Sequence, residues 1–161
     1  MLIGVPRETH EGERRAALVP AGVKKLAGLG MEVAVESGLG EGAGFPDAEY
    51  EKAGAKVEAD ADTLLGKADV VLQIRKPSEE RIGQLGRNAV LACLLDPFNE
   101  KPLIDKLAAA GIRALSMEMI PRSTRAQKMD VLSSQANLAG YMTVIIAARE
   151  SNKIFPMMMT P

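Results

Sequence analysis

The 161-residue sequence holds one cysteine, one histidine, no tryptophan, two tyrosines and three phenylalanines. A single cysteine, Cys93, cannot close an internal disulfide, which points to a reducing compartment. It lies in the apolar run Ala89–Leu95, where it reads as a small buried hydrophobe rather than a reactive thiol. With His10 the only imidazole, a zinc site of nitrogen and sulfur ligands is hard to assemble. No G-x-S-x-G run occurs, so a hydrolase triad has no nucleophile elbow. Excess charge is missing too: twenty basic against twenty-one acidic side chains give a net −1, without the basic surplus of a nucleic-acid binder. Long hydrophobic runs are scarce. Even Leu138–Ala148, counted through its glycine and threonine, falls short of the ~20 residues of a membrane span. Met1–Pro6 runs straight into Arg7 and Glu8, unlike a signal peptide. The chain is 47% hydrophobic and 25% charged, as expected of a soluble, cytoplasm-type domain with a sizeable core.

Strand-like and helix-like segments alternate along most of the chain. Leu2–Val5, Met31–Glu36, Ala55–Glu58, Val70–Ile74, Ala89–Leu95 and Ile112–Met117 read as strands. Helices are expected from Pro20 to about Leu29, at Pro46–Ala53, from the Asp60 cap to Lys67, after Ser78, and at Pro102–Ala110. Six short strands separated by helices imply an α/β fold: a flavodoxin- or Rossmann-like three-layer sandwich with a mostly parallel sheet. The rhythm then breaks. A polar loop at 120–127 precedes a long helix, Lys128 to about Ser151, with Met129, Leu132, Ala136, Ala139 and Thr143 on one face. Residues 1–127 are therefore assigned to the α/β domain, and 128–161 to the helix and an apolar tail.

Three loops carry possible chemistry. Gly38-x-Gly40-x-x-Ala43 matches a dinucleotide fingerprint, with Glu58 twenty residues on. Its mechanism is missing, because Gly42 and Gly44 prolong the loop and Pro46 starts the helix too late to face a pyrophosphate. It reads as a flexible turn. In the loop Pro6–Arg15, Arg15 either clamps a carboxylate or phosphate or pairs with Glu8, Glu11 or Glu13 on a solvated face. Arg75-Lys76-Pro77 puts two more cations at the same sheet edge, with the same alternatives.

The run Arg122–Tyr141 is richer. Asp130, Ser133 and Asn137 share one helical face. Asp130 by itself reads as a first-turn acid, but propensity gives no reason for Ser133, Ser134 and Asn137 beyond the cap. Clustered polar groups of this kind suggest a ligand or partner surface.

This stretch, Pro121-Arg122-Ser123-Thr124-Arg125-Ala126-Gln127-Lys128-Met129-Asp130-Val131-Leu132-Ser133-Ser134-Gln135-Ala136-Asn137-Leu138-Ala139-Gly140-Tyr141, resembles the Arg-Gln-Asp loop and following helix in the NAD(H)-binding component of proton-translocating NAD(P) transhydrogenase. The resemblance runs from the opening Ile3-Gly4-Val5-Pro6-Arg7-Glu8 through Met157-Met158-Met159-Thr160, and much of it is shared with alanine dehydrogenase. It implies hydride transfer from NADH held here to NADP+ on a partner component, coupled to proton movement through a membrane-spanning component. Arg122 would contact NAD(H), and Gln127 would reach towards the NADP(H) side. Asp130 and Ser133 would orient the nicotinamide, with Tyr141 supporting the site. Such a reaction needs positioning more than a general base. The resemblance also implies a homodimer, peripheral at the inner face of the cell membrane through its partners. The family's second, Rossmann domain would follow the Met-Met-Met-Thr segment, so the long helix would lead into it. This stretch alone is expected to bind NADH weakly or not at all. Alanine dehydrogenase carries a catalytic lysine and a histidine where this sequence has Gln73 and about Leu95, which disfavours alanine chemistry.

Overall fold

The computed structural model describes residues 1–155, so the Met157-Met158-Met159 stretch of the expected tail lies outside the described residues. The chain divides into two compact units, Met1–Met117 and Glu118–Pro161. The loop at 120–127, grouped with the sheet on sequence, falls in the second unit with the long helix.

In the first unit, β1 (Leu2–Val5), β2 (Glu32–Glu36), β3 (Lys56–Glu58), β4 (Val70–Leu72), β5 (Val90–Cys93) and β6 (Arg113–Ser116) form one sheet, ordered β3-β2-β1-β4-β5-β6. Every pairing is parallel. The helices α1 (Pro20–Gly28), α2 (Asp47–Lys52), α3 (Ala61–Lys67), α4 (Glu79–Gln84) and α5 (Lys101–Ala109) alternate with the strands, as the sequence pattern requires. Local chemistry sets their starts. The Asp60 carboxylate accepts from the Asp62 and Thr63 amides, and the Ser78 hydroxyl accepts from Arg81 N. Prolines occupy the first turns of α1 and α5, where no amide donor is needed.

Two apolar clusters hold this unit together. Ile3, Val5, Val23, Val33, Val35, Leu39 and Tyr50 form one, and the Tyr50 hydroxyl donates to the Leu18 carbonyl at 2.9 Å. Leu65, Val71, Ile82, Leu91, Cys93, Leu95 and Leu107 belong to the other. Cys93 is fully buried, as a small hydrophobe should be. Gly4 lets the end of α3 approach β1, since a Cβ there would stand 2.7 Å from that of Ala68.

In the second unit, a short 3-10 turn at Gln127–Met129 leads into α6 (Val131–Glu150). The helix starts later than the expected Lys128 because Asp130, with extended backbone, takes the N-cap. The single apolar face expected through Met129, Leu132, Ala136, Ala139 and Thr143 is not what α6 presents. No residue of α6 is buried, and Leu132, Leu138, Tyr141, Met142, Val144, Ile145 and Ile146 are all exposed. At 3.6 residues per turn, Leu138, Met142 and Ile145 share one side, with small residues at Ala136, Gly140 and Ala147 elsewhere. Nor is the apolar stretch too short. Uncharged Val131–Asn137 extends it, and the 20-residue helix is long and apolar enough to cross a membrane by length and composition.

Candidate functional site

In a parallel sheet of this order, β1 and β4 are where the chain reverses direction across the sheet, and ligands commonly bind beyond the carboxyl ends of such strands. Here that edge is braced by the protein's own side chains. Glu8 accepts from the Ile74 and Arg75 amides at 2.6 and 3.2 Å, joining the loops after β1 and β4. Glu36 accepts from Arg7 N at 2.7 Å, and buried Arg81 reaches both the Arg7 carbonyl and Glu36. Arg15 grips Glu13 with two nitrogens, at 2.7 and 2.6 Å, and Arg75 lies 3.2 Å from the same carboxylate. The Arg15 hydrogen bond is the chief reason the Glu13 carboxyl is lowered to about 2. Lys76 pairs with Glu100. For Arg15, Arg75 and Lys76 the ion-paired alternative is the one realised. The Gly38–Gly44 loop is a packed turn rather than a flexible one. Its Gly40 stands so close to Phe45 and Tyr50 that a Cβ would meet the Phe45 carbonyl at 2.4 Å. The short α2 follows, not a long helix aimed at a phosphate.

Chemistry-bearing groups converge instead in the second unit. Arg122, Ser123, Thr124, Gln127, Asp130 and Ser133 line an open recess of about 310 Å³ at the start of α6. Asp130 organises it. Its carboxylate accepts from Ser133 N at 2.9 Å and from Ser133 Oγ at 2.7 Å, and its Oδ2 lies 3.8 Å from Arg122 Nε. These contacts, the Ser133 amide first, hold the Asp130 carboxyl below its ordinary range, so it is ionised and acceptor-only. The Ser134 hydroxyl donates to the Asp130 carbonyl at 2.8 Å. That explains two serines which helix propensity left unaccounted for: both stitch the first turn to its cap.

Four of the five residues to which the resemblance assigns a role, Arg122, Gln127, Asp130 and Ser133, thus meet at one recess. Tyr141 does not line it. It lies two turns further along α6, 68% exposed. Sequence reasoning passed over Ser123 and Thr124 as individuals, and their place in the polar run was the available signal. Gln73, standing where alanine dehydrogenase has its lysine, is buried with its Oε1 unpaired by the described residues, and Leu95 is core.

Residues 4–139 match a family model described as alanine dehydrogenase/PNT, N-terminal domain. The chain belongs to this family. An NAD(P) transhydrogenase alpha subunit of Rhodospirillum rubrum is 44% identical over 99% of the chain. Alanine dehydrogenase of Halomonas elongata is 34% identical over 95%. The crystal structure of transhydrogenase from Sinorhizobium meliloti superposes with a TM-score of 0.91 at 46% identity over 99% of the chain, and an L-alanine dehydrogenase structure with 0.85 at 29% over 92%. The chain spans 43% of the Rhodospirillum relative, 41% of the Halomonas one and 48% of the Sinorhizobium chain. The family fold is thus present here as its N-terminal domain.

Proposed function

We propose that this chain forms one wall of the NAD(H) site in a proton-translocating NAD(P) transhydrogenase. There, hydride passes from NADH to NADP+ on a partner component, coupled to proton movement by a membrane-spanning partner. The observation that carries the reading is the recess where Arg122, Gln127, Asp130 and Ser133 converge in a chain 44% identical to a transhydrogenase subunit. Its volume is at the lower end of small-ligand pockets, which suits one end of a dinucleotide. NADH and NADP+ are the substrates, and the protein's task is to hold two rings close and aligned. Arg122 offers a planar fork to the dinucleotide's oxygens. Asp130, acceptor-only, takes an amide donor such as a carboxamide, and the Ser133 hydroxyl shares that edge. Gln127 extends towards the NADP(H) side, and Tyr141 supports the site from outside the recess, two turns further along α6. In this reading the sheet-bearing unit forms the domain proper, and the loop at 120–127 with the helix and tail over 128–161 leads towards a second nucleotide-binding domain, in a homodimer held by its partners at the inner face of the membrane. The isolated chain is then inactive.

Substituting Gln127→Ala in the reconstituted complex should slow hydride transfer to NADP+ at least tenfold while NADH binding changes little. Unchanged transfer with loss of complex formation would instead make this a docking module.

Relatives named alanine dehydrogenase support a second reading, an alanine-oxidising enzyme. A buried carboxamide at Gln73 and a core leucine at Leu95 offer no proton-transfer group for it. Alanine-dependent NAD+ reduction by the native-length protein would reverse that preference.

A further inference from the structure

Resting on the transhydrogenase reading, we infer that Asp130 sets the preference of this recess between oxidised and reduced dinucleotide: its fixed negative charge favours the cationic ring of NAD+ over the neutral ring of NADH. In the transfer, the C4–H bond of the dihydronicotinamide breaks and its electron pair leaves with the hydrogen to form a C–H bond on the acceptor ring. No proton is released, and the donor ring gains one positive charge. Whatever charge lies beside that ring therefore biases one side of the reaction.

Among the described residues lining the recess, Asp130 is the one carboxylate and Arg122 the one cation. Asp130 is held in place. Both oxygens are engaged by Ser133, through its amide and its hydroxyl, which fixes where the negative charge sits at the edge of the open recess. Arg122 is the movable partner. Its side chain is 66% exposed and contacts Asp130 at 3.8 Å, longer than a direct hydrogen bond. A dinucleotide's phosphates compete for it on equal terms with a single carboxylate. When Arg122 turns to them, the two Ser133 bonds still keep Asp130 ionised and in place. Binding thus removes the neutralising cation and uncovers the negative charge.

Asparagine is as good an N-cap as aspartate, so Asp130→Asn removes the charge and keeps the start of α6. The test is a pair of binding isotherms, NADH and NAD+, on the native-length protein and its Asp130→Asn and Ser133→Ala variants. In Asp130→Asn the ratio of the NAD+ to the NADH dissociation constant should rise about tenfold, the effect of one unit charge ~10 Å away at an effective dielectric of ~20. Ser133→Ala keeps the charge and should leave that ratio within about twofold, even if both affinities fall. Equal weakening of both nucleotides in Asp130→Asn would overturn the inference and leave Asp130 a purely geometric role. Failure of the unmutated native-length protein to bind either nucleotide would remove the transhydrogenase reading, and this inference with it.

Discussion

Single residues at the carboxyl edge of the sheet spend their charge on one another. Glu13 takes hydrogen bonds from Arg15 and lies against Arg75, which lowers its carboxyl from 4.5 to about 2. A group whose pKa falls on folding adds stability above its unfolded value, and that contribution disappears as pH drops through the folded value. Glu13→Gln should therefore cost about 1 kcal/mol at pH 7, a modest figure because Arg15 and Arg75 remain 40% and 52% exposed and water screens them. Urea denaturation at a series of pH values checks this. The gap between variant and parent should be constant above pH 4.5 and close towards pH 2. The cations at this edge were visible in the sequence, but their partners were not. Glu8, Glu11 and Glu13 all stand within reach along the chain, and only the fold decides which carboxylate Arg15 meets.

Elements of structure start where a side chain can satisfy the first free amides. Ser78 does this for α4, whose Arg81 then crosses back to the Arg7 carbonyl and Glu36. Ser78→Ala should lower stability by about 1 kcal/mol, read from the midpoint shift in denaturant at unchanged m-value. The caps of α3 and α4 and the prolines of α1 and α5 were readable because each rule joins residues at most three apart. The start of α6 was misplaced for a related reason. From the sequence Asp130 reads as a first-turn acid, and its place at the cap rests on its extended backbone, set by the 3-10 turn before it. Once Asp130 caps the helix, Arg122, Gln127 and Ser133 come round to one recess.

At the scale of the molecule, α6 is the element least at home in water by itself. Its large apolar side chains are exposed, among them Val144, Ile145 and Ile146. Exposed apolar faces of this kind are sites of association. The chain should self-associate with rising concentration, and Ile145→Lys should suppress this while shifting the thermal midpoint by no more than about 1–2 °C, since an exposed position carries little folding energy. Sedimentation velocity across a concentration series, with a melt of each variant, tests both halves.

Alternating apolar and capped segments determined the α/β class, the six strands and a chain of parallel crossovers, because strand and helix periods are local properties of the sequence. The run from Arg122 to Tyr141 likewise announced its own importance by its composition. Only the tertiary structure decided that the loops at β1 and β4 lock onto each other, that Tyr141 stands apart from the recess, and that no residue of α6 is buried. Those outcomes depend on which surfaces meet in space, and no periodicity along the chain encodes a partner.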